Sequence, residues 1–527
     1  MPMKAFKPRI TAVLLLLAVV GCTDLTVEPK STVTSANIFT DPAAYKQFLA
    51  KLYAGLAVSG QAGPAGNADI QGIDEGFSQY VRLYWQMEEF STDEAVIAWN
   101  DAGVQELNTQ LWSSSNQFLS AMYSRVFFQV SLANEFLRQT TDAQLASRGQ
   151  TGQIVTDVHQ FRAEARFLRA LSYWHGMDLF GNIPLVKETD PIGSTPPKQS
   201  TRADIYAYIE SELKAIRGDL PPGGTGQYGR ADQGAVDMLL AKLYQNAIIY
   251  IGQDQSAAAL AAAQSVINTP AYSLDPNYRH MFLADNNTSP EIIFAVPQDG
   301  LHTQSYGGTT FLVHASVGGS MNANAIGIDG GWYGTRARPE LVALFEGGAG
   351  GPDGRSAVFF TQNQALNINN LTNFNDGYGV NKYENVTSTG APGQRQDFVD
   401  TDYPMFRLAD AYLIYAESAL RGSPANVPQA LIYVNALRAR AYGNTNGNIT
   451  AAQLTLNFVL DERARELFWE GVRRTDLIRY NRLTDSGVWQ WKGGVQAGKT
   501  TEAFRNLFPL PSSELLANPN LKQNTGY

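Results

Sequence analysis

Cys22 is the only cysteine in 527 residues. No disulfide can staple this chain, so its fold must be held by buried apolar surface and polar pairing alone. With 44% hydrophobic residues it has ample material for a large core, and its length allows roughly two to four domains.

The position of that cysteine is informative. Lys4, Lys7 and Arg9 form a positive n-region, and Ile10 to Val20 is an apolar run of eleven residues. In a helix that run spans about 16 Å, roughly half of a ~30 Å hydrocarbon core, so residues 1–21 read as a signal peptide rather than a membrane span. It ends in Val19-Val20-Gly21-Cys22, which is similar to a bacterial lipobox. Such a chain is cut before the cysteine, which becomes the diacylated N-terminus. The alternative is a plain secretory signal with a chance cysteine, but a thiol kept only at this position favours lipidation of Cys22. More than one acyl chain anchors stably. Residues 22–40 then read as a lipidated tether. Cleavage removes three positive charges and no acid, so the net charge of −9 becomes −12. An acidic chain is a poor partner for nucleic acid.

Asp41-Pro42 predicts the start of a helix running to about Val58, with Asp capping and Pro at the first position, and Ala44, Phe48 and Leu52 on one face. Further helices are expected over 115–138 and 157–179. The second carries Ala163, Phe167, Ala170, Trp174 and Met177 on one stripe and Phe161, Ala165 and Leu168 on another, which predicts burial on more than one side. Two hairpins follow, 232–251 with 256–268 and 407–421 with 427–440, in the style of tetratricopeptide units though without a strict repeat. Residues 318–400 differ. They hold Gly318-Gly319, Gly330-Gly331, Gly347-Gly348-Ala349-Gly350-Gly351 and an Asn-rich stretch from Asn367 to Asn375, with aromatics that favour an ordered, functional region.

Five blocks resemble the SusD/RagB family of surface lipoproteins. They are Ser91-Thr92-Asp93-Glu94-Ala95 with Trp99-Asn100-Asp101; Phe161-Arg162-Ala163-Glu164-Ala165-Arg166-Phe167-Leu168-Arg169-Ala170 through Asp178-Leu179-Phe180-Gly181-Asn182; Phe406-Arg407-Leu408-Ala409-Asp410-Ala411-Tyr412; Glu462-Arg463-Ala464-Arg465-Glu466-Leu467-Phe468-Trp469-Glu470-Gly471; and the tail from Phe508-Pro509-Leu510-Pro511 to Gly526-Tyr527. The resemblance implies a mainly α fold, a tetratricopeptide-like scaffold of helical hairpins with a loop-rich, irregular ligand-binding region. On that basis 41–317 is an N-terminal SusD-like helical region, 318–400 the ligand-binding region and 401–527 the C-terminal helical region. It further implies a lipid-anchored protein of the outer-membrane surface that binds a glycan, or a peptide in the RagB branch, and partners a SusC-like TonB-dependent β-barrel. The Gly-rich stretch that glycan-binding relatives often carry around the first tryptophan is shortened here to Val96-Ile97-Ala98-Trp99-Asn100-Asp101.

Glu462, Glu466 and Glu470 fall at i, i+4 and i+8. Paired carboxylates could serve a glycosidase. The neighbouring Arg463, Arg465, Arg473 and Arg474 instead predict an ion-pair network, helped by Arg162, Arg166 and Arg169, because guanidinium groups lower the pKa that a catalytic acid needs raised. The histidines (159, 175, 280, 302, 314) show no metal or catalytic spacing, and His175 reads as packing. No cofactor is implied, although calcium bound by the 366–376 loop stays open. The chain therefore reads as a binder and not an enzyme. Trp99 beside Asn100 and Asp101, Tyr306 within Ser305-Tyr306-Gly307, and Trp332-Tyr333 after Asp329-Gly330-Gly331 are the expected ligand residues. Aromatic faces cover the C–H surface of a sugar while placed amides and carboxylates bond its hydroxyls. Trp85, Trp112, Trp174 and Trp469 are expected in the core.

Overall fold

The computed structural model describes residues 38–193 and 195–527. The expected signal peptide, Cys22 and most of the tether lie outside them.

The helices predicted from periodicity are present, except that 232–251 is broken at Asn246 into Gln233–Gln245 and Ala247–Ile251. Asp41 accepts from the Ala43 N–H (2.9 Å) and so does the work of a cap, although the helix Ala43–Ala57 begins one residue later than expected. Gln117–Gln139 packs on Gln153–Phe180, and that helix on Arg202–Ile216. Both stripes of Gln153–Phe180 are buried, including Phe161, Phe167, Leu168 and Met177. Gln233–Gln245 packs on Ser256–Ile267, which packs on Leu408–Gly422, which in turn meets Val427–Tyr442 and Leu456–Leu467. Successive helices thus stack each on the next, so faces that no single hairpin could cover become one continuous core.

Helix Tyr80–Phe90 runs through the middle of this core, buried at every residue. Trp85 donates to the Trp469 carbonyl (2.8 Å), with the two indoles edge to face at 5.4 Å. Trp112 and Trp174 are buried as well. His175 is a packing residue: it touches the Tyr84 ring at 4.2 Å and bonds Tyr80 Oη (2.8 Å), and burial pushes its pKa down to about 3.

The charge-rich stretch 461–474 is not one helix. Leu456–Leu467 ends, Trp469 takes φ +63°, and Arg473–Arg479 starts afresh. The ion-pair reading holds, with Arg465 as an expected partner and the rest drawn from elsewhere. Glu466 meets Arg355 (2.8 Å), Arg407 (2.7 Å) and Arg440; Glu462 meets Arg355 (2.9 Å), Arg438 (2.8 Å) and Arg465 (2.8 Å); Glu470 meets Arg407 (2.6 Å) and Lys382 (2.6 Å). Arg162, Arg166 and Arg169 pair elsewhere, with Asp142, Glu212 and Glu188. The arginines that meet the three glutamates come mostly from elements distant in sequence, whose approach no local spacing signals.

Sheet is confined to short antiparallel pairs among the described residues. Ile292–Val296 pairs with Tyr403–Arg407, which brings Arg407 to Glu291 (2.9 Å). Ala95–Ile97 pairs with Thr335–Ala337, Ile97 opposite Thr335. Residues 318–400 hold only short elements, and most of their aromatics turn inward: Phe359, Phe374 and Tyr383 are buried.

Candidate functional site

The pairing of Ala95–Ile97 with Thr335–Ala337 is what builds the site. Past its end, Ala98 N–H donates to the Gly334 carbonyl (2.9 Å), and Trp99 Nε1 donates to the Trp332 carbonyl (2.8 Å). The Trp99 ring lies over Gly334, where a Cβ would stand 2.9 Å from it, so only glycine admits the indole there. The Trp99 loop is fastened from behind: Gln105 Nε2 donates to the carbonyls of Ile97 (3.0 Å) and Trp99 (2.5 Å), and Asn108 bonds both backbone groups of Ile97.

The Trp332 loop is pinned to the end of helix Gly308–Ala315. Trp332 N–H donates to the His314 carbonyl (2.7 Å) and Gly334 N–H to the Ala315 carbonyl (2.8 Å). The Tyr306 loop is tied to the start of helix Tyr80–Phe90. Gln79 Oε1 accepts from both Arg82 N–H (2.7 Å) and Gly308 N–H (2.8 Å), with Gly308 at φ +55°, and Arg82 Nη1 donates to the Tyr306 carbonyl (2.9 Å).

Three distant segments thereby place three rings side by side. Trp99 and Trp332 have centroids 6.3 Å apart, Tyr306 and Trp332 6.2 Å, and Phe398 extends the row 5.4 Å beyond Tyr306. The two tryptophans are part-buried and Tyr306 is 42% exposed, so the rings form an open arc rather than a closed cavity. Asn100 and Asp101 are exposed at its edge. Tyr333 is 53% exposed but takes φ +54°, and its ring meets Phe374 (5.6 Å, edge on) over Gly318. The structure therefore brings together Trp99, Tyr306 and Trp332, flanks them with Asn100 and Asp101, and turns Tyr333 toward another neighbour. The arc draws on residues far outside 318–400.

Arg82, His314 and Phe398 belong to the same assembly and were not singled out from the sequence. The Arg82 guanidinium lies 4.3 Å from the Phe311 ring, 4.4 Å from Phe77 and 5.4 Å from Trp99. Its Nε and Nη2 have no hydrogen-bond partner, and burial pulls its pKa down to about 9 against the opposing charges of Asp74 and Asp101. A lone cation inside Tyr80-Val81-Arg82-Leu83-Tyr84-Trp85 was the available signal; His314 and Phe398 offered none.

Such a surface can hold a ligand by its apolar face and edge hydroxyls. Among the described residues, no three or more His, Cys, Asp or Glu side chains are grouped to hold a metal ion. In the 366–376 loop, where calcium was left open, the Asp376 carboxylate already accepts from Asn370 N–H (2.7 Å) and Asn373 Nδ2 (2.9 Å).

Comparison with known proteins agrees with this architecture. Residues 352–527 match the SusD family, and residues 71–244 match a family described as starch-binding and associating with the outer membrane. The starch-binding protein SusD of Bacteroides thetaiotaomicron is 33% identical, over 90% of this chain and 91% of that protein. SusD-like protein P2 of Formosa agariphila is 26% identical over 99% and 100%. Among solved structures, surface glycan-binding protein A of Bacteroides fluxus superposes with TM-score 0.69 at 21% identity, and a SusD superfamily protein of Parabacteroides distasonis with TM-score 0.71 at 22%, each covering 92% of this chain and 99% of the other. By its sequence and by its stacked-helix fold, the chain belongs to the SusD family.

Proposed function

We propose that this chain is a surface glycan-binding lipoprotein that captures oligosaccharide for a SusC-like TonB-dependent barrel. The observation that carries the reading is the arc itself: Trp99, Tyr306 and Trp332, brought from three separate segments, keep their rings accessible in a molecule that buries most of its other large aromatics. The starch-binding character named for the relative from Bacteroides thetaiotaomicron makes an α-glucan the first ligand to try. Ligand is held and not cut. The obvious carboxylates at Glu462 and Glu466 are locked among arginines, and their pKa values are driven away from the range a general acid needs.

Calorimetry with maltoheptaose tests the site. Trp332→Ala and Trp99→Ala should each weaken binding by roughly 2 kcal/mol, about thirtyfold, with the fold unaltered and no shorter sugars released on incubation. Unchanged affinity in both variants would remove the site assignment, and a chain that ignores glucans but binds peptides would move the reading to the RagB branch.

Anchor and partner are tested together on tagged protein from native membranes. The N-terminal peptide should carry acyl chains on Cys22, and a TonB-dependent barrel should co-purify. An unmodified Cys22 in a preparation without any barrel would leave a free-standing binder.

A further inference from the structure

His314 is a buried titratable group whose ring stacks directly on the arc. Its side chain is 1% exposed, and its ring stacks on Trp332 with centroids 4.6 Å apart and planes 21° from parallel. Nδ1 lies 2.8 Å from the Gly330 carbonyl. A carbonyl can only accept, so Nδ1 carries the proton. The His314 carbonyl meanwhile accepts from the Trp332 N–H (2.7 Å). One residue therefore holds the 330–332 loop at both ends and supports one face of the indole. Nε2 is buried and makes no hydrogen bond of ordinary geometry, although the Gln396 carbonyl lies close enough to favour the charged ring.

We propose that His314 is a positioning residue for the ligand platform, its neutral imidazole backing Trp332 so that the opposite indole face is presented to sugar. This rests on the glycan-binding reading of the arc.

The surroundings give the device a pH dependence. The groups facing His314 are the Asp329 carboxylate at 3.8 Å and the Gly330 carbonyl from the loop that carries Trp332, and Asp397 and the Gln396 carbonyl from the 395–400 segment. Asp397 is engaged by Arg395 (2.7 Å), and Asp329 is largely exposed. Burial outweighs these acceptors and holds the imidazole below its usual range. His314 is accordingly neutral at physiological pH. Acid adds a charge behind Trp332, sets it toward Asp329, and draws electron density from the ring face that sugar C–H groups prefer.

Maltoheptaose affinity measured from neutral pH downward is the test, on wild type, His314→Phe, His314→Asn and Trp332→Ala. Wild-type affinity should fall several-fold on the acid side, below the ordinary imidazole value of about 6.5. His314→Phe keeps the stacked ring without the charge and should bind with a flat pH profile. His314→Asn keeps an N–H for Gly330 but loses the ring, and should bind about three- to tenfold more weakly at neutral pH with an unchanged melting temperature. A wild-type profile matching that of His314→Phe, with full affinity in His314→Asn while Trp332→Ala is impaired, overturns the proposal and spares the arc. If Trp332→Ala also binds normally, or nothing binds, the arc reading itself has failed. A ligand-free arm still decides the positioning role. The Trp332 indole N–H resonance, assigned by its loss in Trp332→Phe, should move on acidification in wild type and stay put in His314→Phe. Indifference of that resonance to His314 refutes the idea.

Discussion

Two sets of buried glutamates sit in opposite electrostatic circumstances. Glu462 and Glu466 are surrounded by Arg355, Arg407, Arg438, Arg440 and Arg465. Burial alone would raise their pKa values, but the guanidinium groups outweigh it, holding Glu462 at about 2 and Glu466 lower still. Glu88, Glu89 and Glu94, on and just after helix Tyr80–Phe90, are as deeply buried but have few cations. Burial with the nearby Asp178 raises Glu88 to about 8, burial and Glu94 drive Glu89 upward, and burial lifts Glu94 to about 7 despite Arg473. Their oxygens accept from Thr475 Oγ1 (3.2 Å), Gly471 N–H (2.7 Å) and Trp469 N–H (3.1 Å). Raised carboxyls often mark catalysis. Here they are sealed from solvent and accept from Thr475, Gly471 and Trp469, so they fasten the C-terminal segment to the central helix. Burial alone does not set a carboxyl's role; the number of cations buried with it does.

The sharpest way to break this contrast is to remove one charge from the crowded cluster. Glu466→Ala leaves Arg355, Arg407 and Arg440 with too little negative charge in a dry interior, and should cost about 3–5 kcal/mol in urea unfolding at neutral pH. A loss below about 1 kcal/mol would mean that the arginines find other partners and that the cluster is not what holds these elements together.

The pH dependence of stability separates the two sets without mutation. The folded pKa of Glu462 lies below its unfolded value, so the stability it contributes is complete above about 4.5 and is lost as pH falls toward about 2. Glu88 and Glu94 run the other way. Their folded values exceed the unfolded 4.5, the native state binds more protons between 4.5 and about 8, and stability declines as pH rises through that window. Urea midpoints should therefore fall on both sides of a mildly acidic optimum. A curve that keeps rising from about pH 6.5, above which the buried, neutral His175 adds no further slope, to pH 8 contradicts the reading of the Glu88 and Glu94 group.

The two clusters also mark what could be read in advance. Helix positions followed from apolar spacing because each helix advertises its own buried face locally. The glutamate stripe with its adjacent arginines was visible, and its structural role followed from charge alone. The break at Phe468–Val472 was not, since it depends on Trp469 and Gly471 taking positive φ to meet Glu94 and Glu89. Glu88 and Glu89 carried no signal in the sequence, which cannot show how few arginines arrive from elsewhere. The ligand arc divides in the same way. Trp99, Tyr306 and Trp332 stood out beside Asn, Asp and Gly, while their convergence depends on three-residue strands more than two hundred positions apart, too short to carry a period. Tyr333, adjacent to Trp332 in sequence, faces a different neighbour because its backbone turns left-handed there.

The smallest expected effect is the most discriminating. At neutral pH a Glu88 with a pKa near 8 is mostly protonated, so Glu88→Gln exchanges one neutral side chain for another of the same shape. The Oε2 position still accepts from Thr475 Oγ1, and the new amide N–H₂ occupies the place of Oε1, which has no hydrogen-bond partner now. The substitution should change stability at neutral pH by no more than about 1 kcal/mol, against several for Glu466→Ala, although both residues are fully buried glutamates. It should also flatten part of the decline toward pH 8, because one of the protons that the native state holds in that window is no longer there to lose. Urea titrations of Glu88→Gln and wild type at pH 5 and pH 8 measure both quantities. A loss of several kcal/mol at pH 5, where wild-type Glu88 is neutral by this account, would mean that Glu88 is held as a carboxylate and belongs with Glu466 after all.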